Sequence, residues 1–291
     1  MQTQVFDAAF FEKLNTLKLN TSLVLERGMG GPRKSSAKGS SVEFSDYREY
    51  LPGDDVRRID WNAYGRTERF YVKQFMEEKE GSFHLFLDCS SSMEYGEVKK
   101  SVQALQIAGA ISYLVINNMD RIQITTMQKG QSYTTKGMTG RQAFLNLIQL
   151  LSKSTFDHHM DFSEMIKRQP FTRKGTVFLI SDFFDMGNLE QTLKYLAYQK
   201  QEIVLVHTLC REEIAPKLEG TLSLMDMEHG SEMKVTMTEK VLKGYEKTLK
   251  EFTNRLQVLA KKYRAVYVLT VSDEPLEQFI HECVRLGKLS C

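Results

Sequence analysis

The sequence predicts an α/β fold built on a doubly wound, mostly parallel β-sheet with one antiparallel edge strand. Short, nearly continuously apolar segments alternate with helical patterns from residue 81 onward, which is typical of parallel strands covered by helices on both faces. Two strand patterns joined by a tight turn at 121–135 predict a hairpin, whose second strand supplies the antiparallel edge. The chain has 291 residues, 42% of them hydrophobic, which is enough for a sizeable core.

The individual elements follow from hydrophobic periodicity taken in chain order. A helix is predicted over 6–18 and a strand of mixed polarity over 69–75. The strands of the main sheet are predicted at 83–87, 121–127, 131–135, 176–180, 202–209 and 265–270. Helices are predicted at 96–118, 141–151, 188–199, 239–263 and 275–286, with two short strands near 221–225 and 233–237.

The chain is predicted to divide near residue 80. Residues 1–80 form an N-terminal extension with the first helix, a mobile loop at 26–41 rich in Gly, Ser, Lys and Arg, and an aromatic and charged segment at 42–79. Residues 81–291 form the main domain, with a small insertion near 211–238. The GMGG run in the loop lacks the GKS or GKT ending of a phosphate-binding loop, so we do not interpret it as a nucleotide site.

Charge, cysteine content and the length of apolar stretches indicate which partners and which cellular compartment to expect. The 39 Lys and Arg residues nearly balance the 37 Asp and Glu residues, and the net charge of +2 gives no reason to expect nucleic acid as a partner. The four cysteines have no metal-ligand spacing and are expected to be reduced thiols. The N-terminus lacks a signal-peptide pattern and no apolar stretch has the length of a membrane helix, so we expect a cytoplasmic chain with no membrane span.

Two apolar strands end in acidic loops, FHLFLD-CSSSM and TVFLIS-DFFD. If the strands are neighbours, Asp88 and Asp182 meet at one edge of the sheet, where open α/β sheets bind ligands. Ser90 and Ser92 can turn their hydroxyls toward the same point. Carboxylate and hydroxyl oxygens without His or thiolate suit a hard cation, so the sequence predicts a site for Mg²⁺ or Mn²⁺. On its own, the same loop also fits a serine that caps a helix.

This pattern resembles the metal-ion-dependent adhesion site, MIDAS, of von Willebrand factor A domains. The resemblance implies a von Willebrand factor A-like fold and assigns the metal to the loop at 88–92 and to the later aspartate, Asp182. It also implies a Thr-Asp pair from a middle loop. Met160 stands in place of that threonine and Asp161 in place of the aspartate, which makes Asp161 a further ligand candidate. Thr155 or Thr139 can substitute if the loop runs differently.

The upstream segment, FSDYREYLPGDDVRRIDWNAYGRTERFYVKQF, resembles the signature of the domain-of-unknown-function 58 family. The similarity covers roughly residues 40–280. It implies a bacterial protein linked with MoxR-type AAA+ ATPases in a chaperone-like or assembly role, and it implies no reaction. The matching positions are Arg48, Tyr50, Gly53, Asp54, Arg57, Ile59, Asp60, Trp61 and Arg66.

The signature segment is predicted to form a polar clasp. A turn at Pro52 and Gly53 brings acidic residues close to arginines, so carboxylate–guanidinium pairs are available. Trp61 and Tyr64 can cover the apolar side. The clasp either fixes the N-terminal segment to the main domain or contacts a partner directly, and the sequence leaves both roles open.

An enzyme needs a nucleophile or an acid–base pair, and the sequence does not place one beside the oxygen cluster. A phosphatase of the haloacid-dehalogenase type needs DxD, whereas the third position here is Ser90, and the GxSxG elbow of a serine hydrolase is missing. His158 and His159 fit an exposed pair better than a base. We therefore expect a non-enzymatic interaction module, an adaptor or accessory to a MoxR-type ATPase. A metal-dependent phosphoester hydrolase and a metal-free interaction domain remain as alternatives.

Overall fold

The computed structural model describes residues 5–24, 43–76, 80–128, 131–156, 162–184, 188–216, 220–225 and 232–289. The chain forms two compact units, one of Met1–Arg27 with Gly81–Cys291 and one of Gly28–Glu80. The strands are β1 (Glu43–Glu49), β2 (Tyr71–Met76), β3 (Ser82–Leu87), β4 (Arg121–Gln128), β5 (Gln131–Thr134), β6 (Thr176–Ser181), β7 (Glu202–Leu209), β8 (Gly220–Met225), β9 (Glu232–Met237) and β10 (Val266–Val271). The helices are α1 (Ala8–Val24), α2 (Trp61–Thr67), α3 (Lys100–Asn117), α4 (Arg141–Leu151), α5 (Phe162–Lys167), α6 (Leu189–Tyr198), α7 (Arg211–Ile214), α8 (Glu239–Lys262) and α9 (Leu276–Arg285).

The main sheet has six strands in the order β10-β7-β6-β3-β4-β5. All neighbours are parallel except β4 and β5, which form the predicted hairpin and give the antiparallel edge. The predicted fold class is therefore confirmed. Strand β3 pairs with β4 on one side and with β6 on the other, so the strand order reverses between β3 and β6. The carboxyl ends of these two strands form the switch point at which open α/β sheets bind ligands.

Helix α3 provides much of the packing against this sheet. Most of its residues are buried, including Leu105, Ile111 and Val115, because helices and strands surround it. Strand β6 is buried along its whole length, as expected for a central strand of a parallel sheet. The cysteines Cys89, Cys210 and Cys283 are buried free thiols.

The first helix belongs to the unit that contains the main sheet, which differs from the predicted extension at 1–80. Phe6, Phe10 and Leu14 of this N-terminal segment are buried in the main core. A side chain at Gly109 of α3 would approach the rings of Phe10 and Phe6 to 3.0 Å, so the two segments are in close contact. The apolar residues whose spacing predicted the helix are thus the ones that pack it against the main core.

Burial of His84 on β3 gives a testable dependence of stability on pH. Its ring stacks on Phe86 at 4.2 Å and its Nε2 lies 3.0 Å from Thr125 Oγ1. Desolvation lowers the pKa of His84 from 6.5 to about 4. The unfolded chain therefore binds the extra proton first as the pH falls, and stability is lost between about pH 6.5 and 4.

We expect His84→Gln to remove about 2 kcal/mol of the stability difference between pH 7 and pH 5, measured by urea unfolding at both values. Glutamine keeps a polar group near Thr125 but does not titrate. The control is His281→Gln, because His281 lies exposed on α9. An unchanged pH dependence in His84→Gln would contradict the assignment.

Candidate functional site

The switch point between β3 and β6 positions the first acidic residue, Asp88. Its N–H donates to Ile180 O at 2.9 Å, which continues the pairing of the two strands by one residue. Its carboxylate is buried: Oδ1 accepts from Ser90 N at 2.9 Å, and Oδ2 accepts from the hydroxyl of Ser181. The neighbouring strand thus holds this carboxylate in place.

Ser92 lies in a short 3-10 turn, Ser91–Glu94, and Ser90 is the residue that precedes this turn. Their hydroxyl oxygens are 3.1 Å apart and both residues are half-buried. Met93 in the same turn is fully buried and anchors the loop to the core. The loop therefore brings two hydroxyls together beside the Asp88 carboxylate, as the sequence predicted.

Burial raises the pKa of Asp88 to about 6, and the negative charge of Asp182 adds to this effect. The hydrogen bonds from Ser181 and Ser90 oppose it by stabilising the charged form. The net direction means that burial and the nearby charge disfavour the ionised carboxylate of Asp88 more than its hydrogen bonds favour it. A cation beside it would favour the charged form.

Asp182 follows β6 and is also buried, but its carboxylate has a cationic partner that the sequence analysis missed. Its Oδ2 accepts from Lys100 Nζ at 2.7 Å, and its Oδ1 accepts from Phe184 N at 3.1 Å. The same ammonium donates to Glu213 Oε1 at 2.5 Å, and Glu213 Oε2 accepts from Cys210 N at 2.9 Å. A buried lysine thus joins the ends of β6 and β7 to the start of α3.

Lys100 has 0% exposed side chain, which is exceptional for a lysine. Burial alone lowers the pKa of Lys100, but the charges of Asp182 and Glu213 outweigh that effect and raise the pKa above its ordinary value. The side chain is therefore a fixed ammonium and not a neutral nucleophile. The only sequence signal for it is a second lysine, after Lys99, where a largely buried helix begins.

The structure describes only some of the residues proposed as metal ligands from the middle loop. Met160, Asp161, His158 and His159 lie outside the described residues. Thr139 is exposed. The N–H of Thr155 donates to Met127 O at 3.3 Å, which places Thr155 at the carboxyl end of β4.

The oxygen atoms on this edge fit a hard cation in part. Asp88, Ser90 and Ser92 supply three oxygen-bearing side chains on one loop. The Thr155 hydroxyl on the same edge is buried and has no hydrogen-bond partner among the described residues. Asp182 fits less well because Lys100 already neutralises it. No cluster of three or more His, Cys, Asp or Glu side chains with metal-binding geometry occurs in the described ranges, so a cation here would depend on hydroxyl and water oxygens.

The predicted clasp is an internally bonded unit. Arg48 pairs with Asp54 at 2.8 Å, and Gly53 adopts the left-handed φ of 103° that the turn requires. Asp60 caps α2 by accepting from the N–H groups of Asn62 and Ala63, and its other oxygen lies 3.1 Å from Lys73 Nζ. These bonds explain why the signature places acids, glycine and arginine at those positions.

Other signature side chains point outward. Trp61 is 63% exposed and forms edge contacts with Tyr64 and Phe70, so it does not cover an apolar core. Arg57 and Arg66 are exposed, and Tyr50 is half-buried against Phe70. Whether the clasp holds this segment to the main domain or contacts a partner stays a prediction.

Fold and site together define a doubly wound α/β domain with an oxygen-rich loop at its switch point. The chain belongs to the family described as "Protein of unknown function DUF58", whose model matches residues 46–255. This confirms the resemblance drawn from the signature. Uncharacterized proteins Rv1480 of Mycobacterium tuberculosis and Mb1516 of Mycobacterium bovis are each 27% identical to it over 237 residues, which covers 79% of this chain and 74% of theirs.

Solved structures with a similar fold include proteins of different kinds. The conserved hypothetical protein BatB from Bacteroides thetaiotaomicron has a TM-score of 0.45 and 13% identity, covering 72% of this chain and 98% of its own. The SpRpn10 VWA domain has a TM-score of 0.38 and 9% identity, covering 70% of this chain and 95% of its own. At these values the similarities assign no partner or activity to this chain. None of the described helices is both long and apolar enough to cross a membrane.

Proposed function

We propose that this chain is a non-enzymatic protein-interaction module whose docking point is the loop carrying Asp88, Ser90 and Ser92. The observation that carries the proposal is the pair of half-buried hydroxyls, 3.1 Å apart, beside a buried carboxylate at the switch point. The cavity against this loop, lined in part by Met127 and Phe162, has a volume of only about 10 Å³. That is about the space of one water, so the described residues around the loop offer a surface to a macromolecule rather than an enclosed pocket for a substrate.

Mg²⁺, or Mn²⁺ in its place, is the proposed cofactor. Asp88, Ser90 and Ser92 would hold it, and the Thr155 hydroxyl is a further candidate because it lacks a partner among the described residues. When bound, the cation supplies a contact point for a carboxylate oxygen of the partner. The buried Asp88 carboxylate supports this placement, since no lysine or arginine pairs with it among the described residues.

The proposed partner is a MoxR-type AAA+ ATPase or its client, with this chain as an adaptor or accessory in protein assembly or maturation in the bacterial cytoplasm. This partner class is the one that the resemblance to the domain-of-unknown-function 58 family implies. A second candidate is an interaction domain that works without metal. It is favoured by the Lys100 ammonium, which already pairs with both Asp182 and Glu213. No observation on the described residues favours a phosphoester hydrolase.

We expect Asp88→Ala to weaken capture of a purified MoxR-type ATPase roughly tenfold or more in the presence of Mg²⁺, because it removes the carboxylate of the Asp-Ser-Ser pattern. Capture is measured by surface plasmon resonance, and circular dichroism checks that the variant remains folded. The matched control is Ser91→Ala, which alters the same loop outside the Asp-Ser-Ser pattern.

EDTA separates the two candidates. Loss of wild-type capture in EDTA supports the metal-bound site, while full capture in EDTA supports the metal-free domain. Equal capture by a folded Asp88→Ala protein and by the wild type would refute the docking point in either form.

A further inference from the structure

Two buried carboxylates on this edge converge on one positive charge that belongs to the chain itself. Lys100 Nζ lies 2.7 Å from Asp182 Oδ2 and 2.5 Å from Glu213 Oε1. The three groups come from the start of α3, the end of β6 and helix α7. An ammonium in this position takes the place that a metal ion would occupy between two carboxylates, with one positive charge against their two.

We propose that Lys100 is the resident cation of this edge, so that Asp182 takes no metal and any divalent ion is confined to Asp88, Ser90 and Ser92, with the Thr155 hydroxyl as a further candidate. This departs from the assignment of Asp182 as a ligand that the adhesion-site resemblance implies. Lys100 acts as a positioning residue. The placement of an ion at Asp88 rests on the proposed function, whereas the exclusion of metal from Asp182 does not.

The positive charge of Lys100, rather than the number of accepted hydrogen bonds, limits the capacity of Asp182 for a metal. Its Oδ2 accepts from the ammonium, and its Oδ1 accepts from Phe184 N. A divalent ion bound directly to either oxygen would lie beside the ammonium, and like charges at that separation in a buried site repel strongly. Lys100 cannot swing away into solvent, because its side chain is fully buried.

The Asp88 half of the edge is arranged differently. Its two oxygens accept from Ser181 and from Ser90 N, and no lysine or arginine pairs with it among the described residues. Each carboxylate oxygen keeps a second lone pair. A cation can therefore bind at Asp88, whereas at Asp182 the Lys100 ammonium already occupies the position of the cation.

Glu213 is held in its orientation independently of Lys100. Its Oε2 accepts from Cys210 N at 2.9 Å, and its carbonyl accepts from Tyr245 OH at 2.8 Å. Removing the lysine side chain therefore leaves Asp182 and Glu213 facing an emptied volume. Two carboxylates with room for water are a ligand set that suits Mn²⁺.

The test is Mn²⁺ binding to the full chain, followed by electron paramagnetic resonance of the free ion, with thermal unfolding of the same samples. Lys100→Ala is expected to bind one Mn²⁺ more than the wild type. Mn²⁺ should also raise the thermal unfolding midpoint of this variant by several degrees. Adding Asp182→Asn to Lys100→Ala should remove the extra ion. Lys99→Ala, an exposed neighbour, is the matched control and should bind as the wild type does.

Each outcome decides the proposal. A folded Lys100→Ala protein that binds no additional Mn²⁺ would overturn it. So would wild-type Mn²⁺ binding that Asp182→Asn abolishes as completely as Asp88→Ala does. If Lys100→Ala is unfolded in EDTA, recovery of the fold on adding Mn²⁺ supports the proposal, and failure to recover contradicts it. Absence of any ion on the wild type would count against the metal-bound function and leave the Lys100→Ala result to decide this inference separately.

Discussion

Replacing Lys100 by methionine is expected to lower the free energy of unfolding by about 3–5 kcal/mol. Methionine fills a similar volume but removes the ammonium, so Asp182 and Glu213 remain as two buried carboxylates without a counter-charge. For a chain of this size the loss corresponds to a decrease in melting temperature on the order of 10 °C. Urea unfolding at neutral pH and calorimetry measure both quantities.

Neutralising the two carboxylates should reverse part of this loss. Lys100→Met combined with Asp182→Asn and Glu213→Gln keeps the acceptors for Phe184 N and Cys210 N but removes the charges. We expect the triple variant to be about 2 kcal/mol more stable than Lys100→Met alone.

The control is Lys99→Met, whose exposed pair with Glu94 should contribute less than about 1 kcal/mol. If Lys99→Met and Lys100→Met lose equal stability, the buried ammonium has no special role.

Phe10→Ala is expected to destabilise the main unit by about 3–5 kcal/mol, although it lies in a segment that the sequence assigned to an extension. The Phe10 ring is 2% exposed and packs edge-on against Phe6 at 5.1 Å and Phe11 at 5.5 Å. Its removal leaves a cavity next to Gly109 of α3, where a close approach excludes any larger residue.

Denaturant unfolding of the whole chain measures this effect. Glu12→Ala, on an exposed position of the same helix, is the control for helix propensity and should change the stability by less than about 0.5 kcal/mol. A Phe10→Ala protein as stable as the control would mean that α1 does not belong to the main core.

The sheet was predictable because its signals are local. The continuously apolar strand 176–180 and the hairpin at 121–135 carry their structure in their own composition. The place of α1 was not predictable in this way. Its spacing of Phe6, Phe10 and Leu14 indicates an apolar face but not which surface covers that face. The predicted boundary near residue 80 followed from the regular strand and helix pattern that begins there, and α1 lies before that pattern although it packs in the main unit.

The candidate site was predictable in the same uneven way. Asp88 and Asp182 follow apolar strands, so their meeting at one edge follows from topology alone. Lys100 and Glu213 gave no comparable signal, because they are 113 residues apart and each fits a solvated helix end. Only the packing of α3 beneath the edge brings Lys100 between the carboxylates of Asp182 and Glu213.

The loop between β3 and α3 is fastened at both ends, by Asp88 at its start and by Lys100 at its end, and Met93 anchors its middle. A loop held in this way is already ordered before any partner arrives. Ordering a flexible side chain on binding costs about 0.5–1.5 kcal/mol, and the side chains of this loop are already ordered in the folded protein. The entropy lost on association therefore falls on the partner. A partner that presents a rigid turn should bind more tightly than the same residues in a flexible peptide.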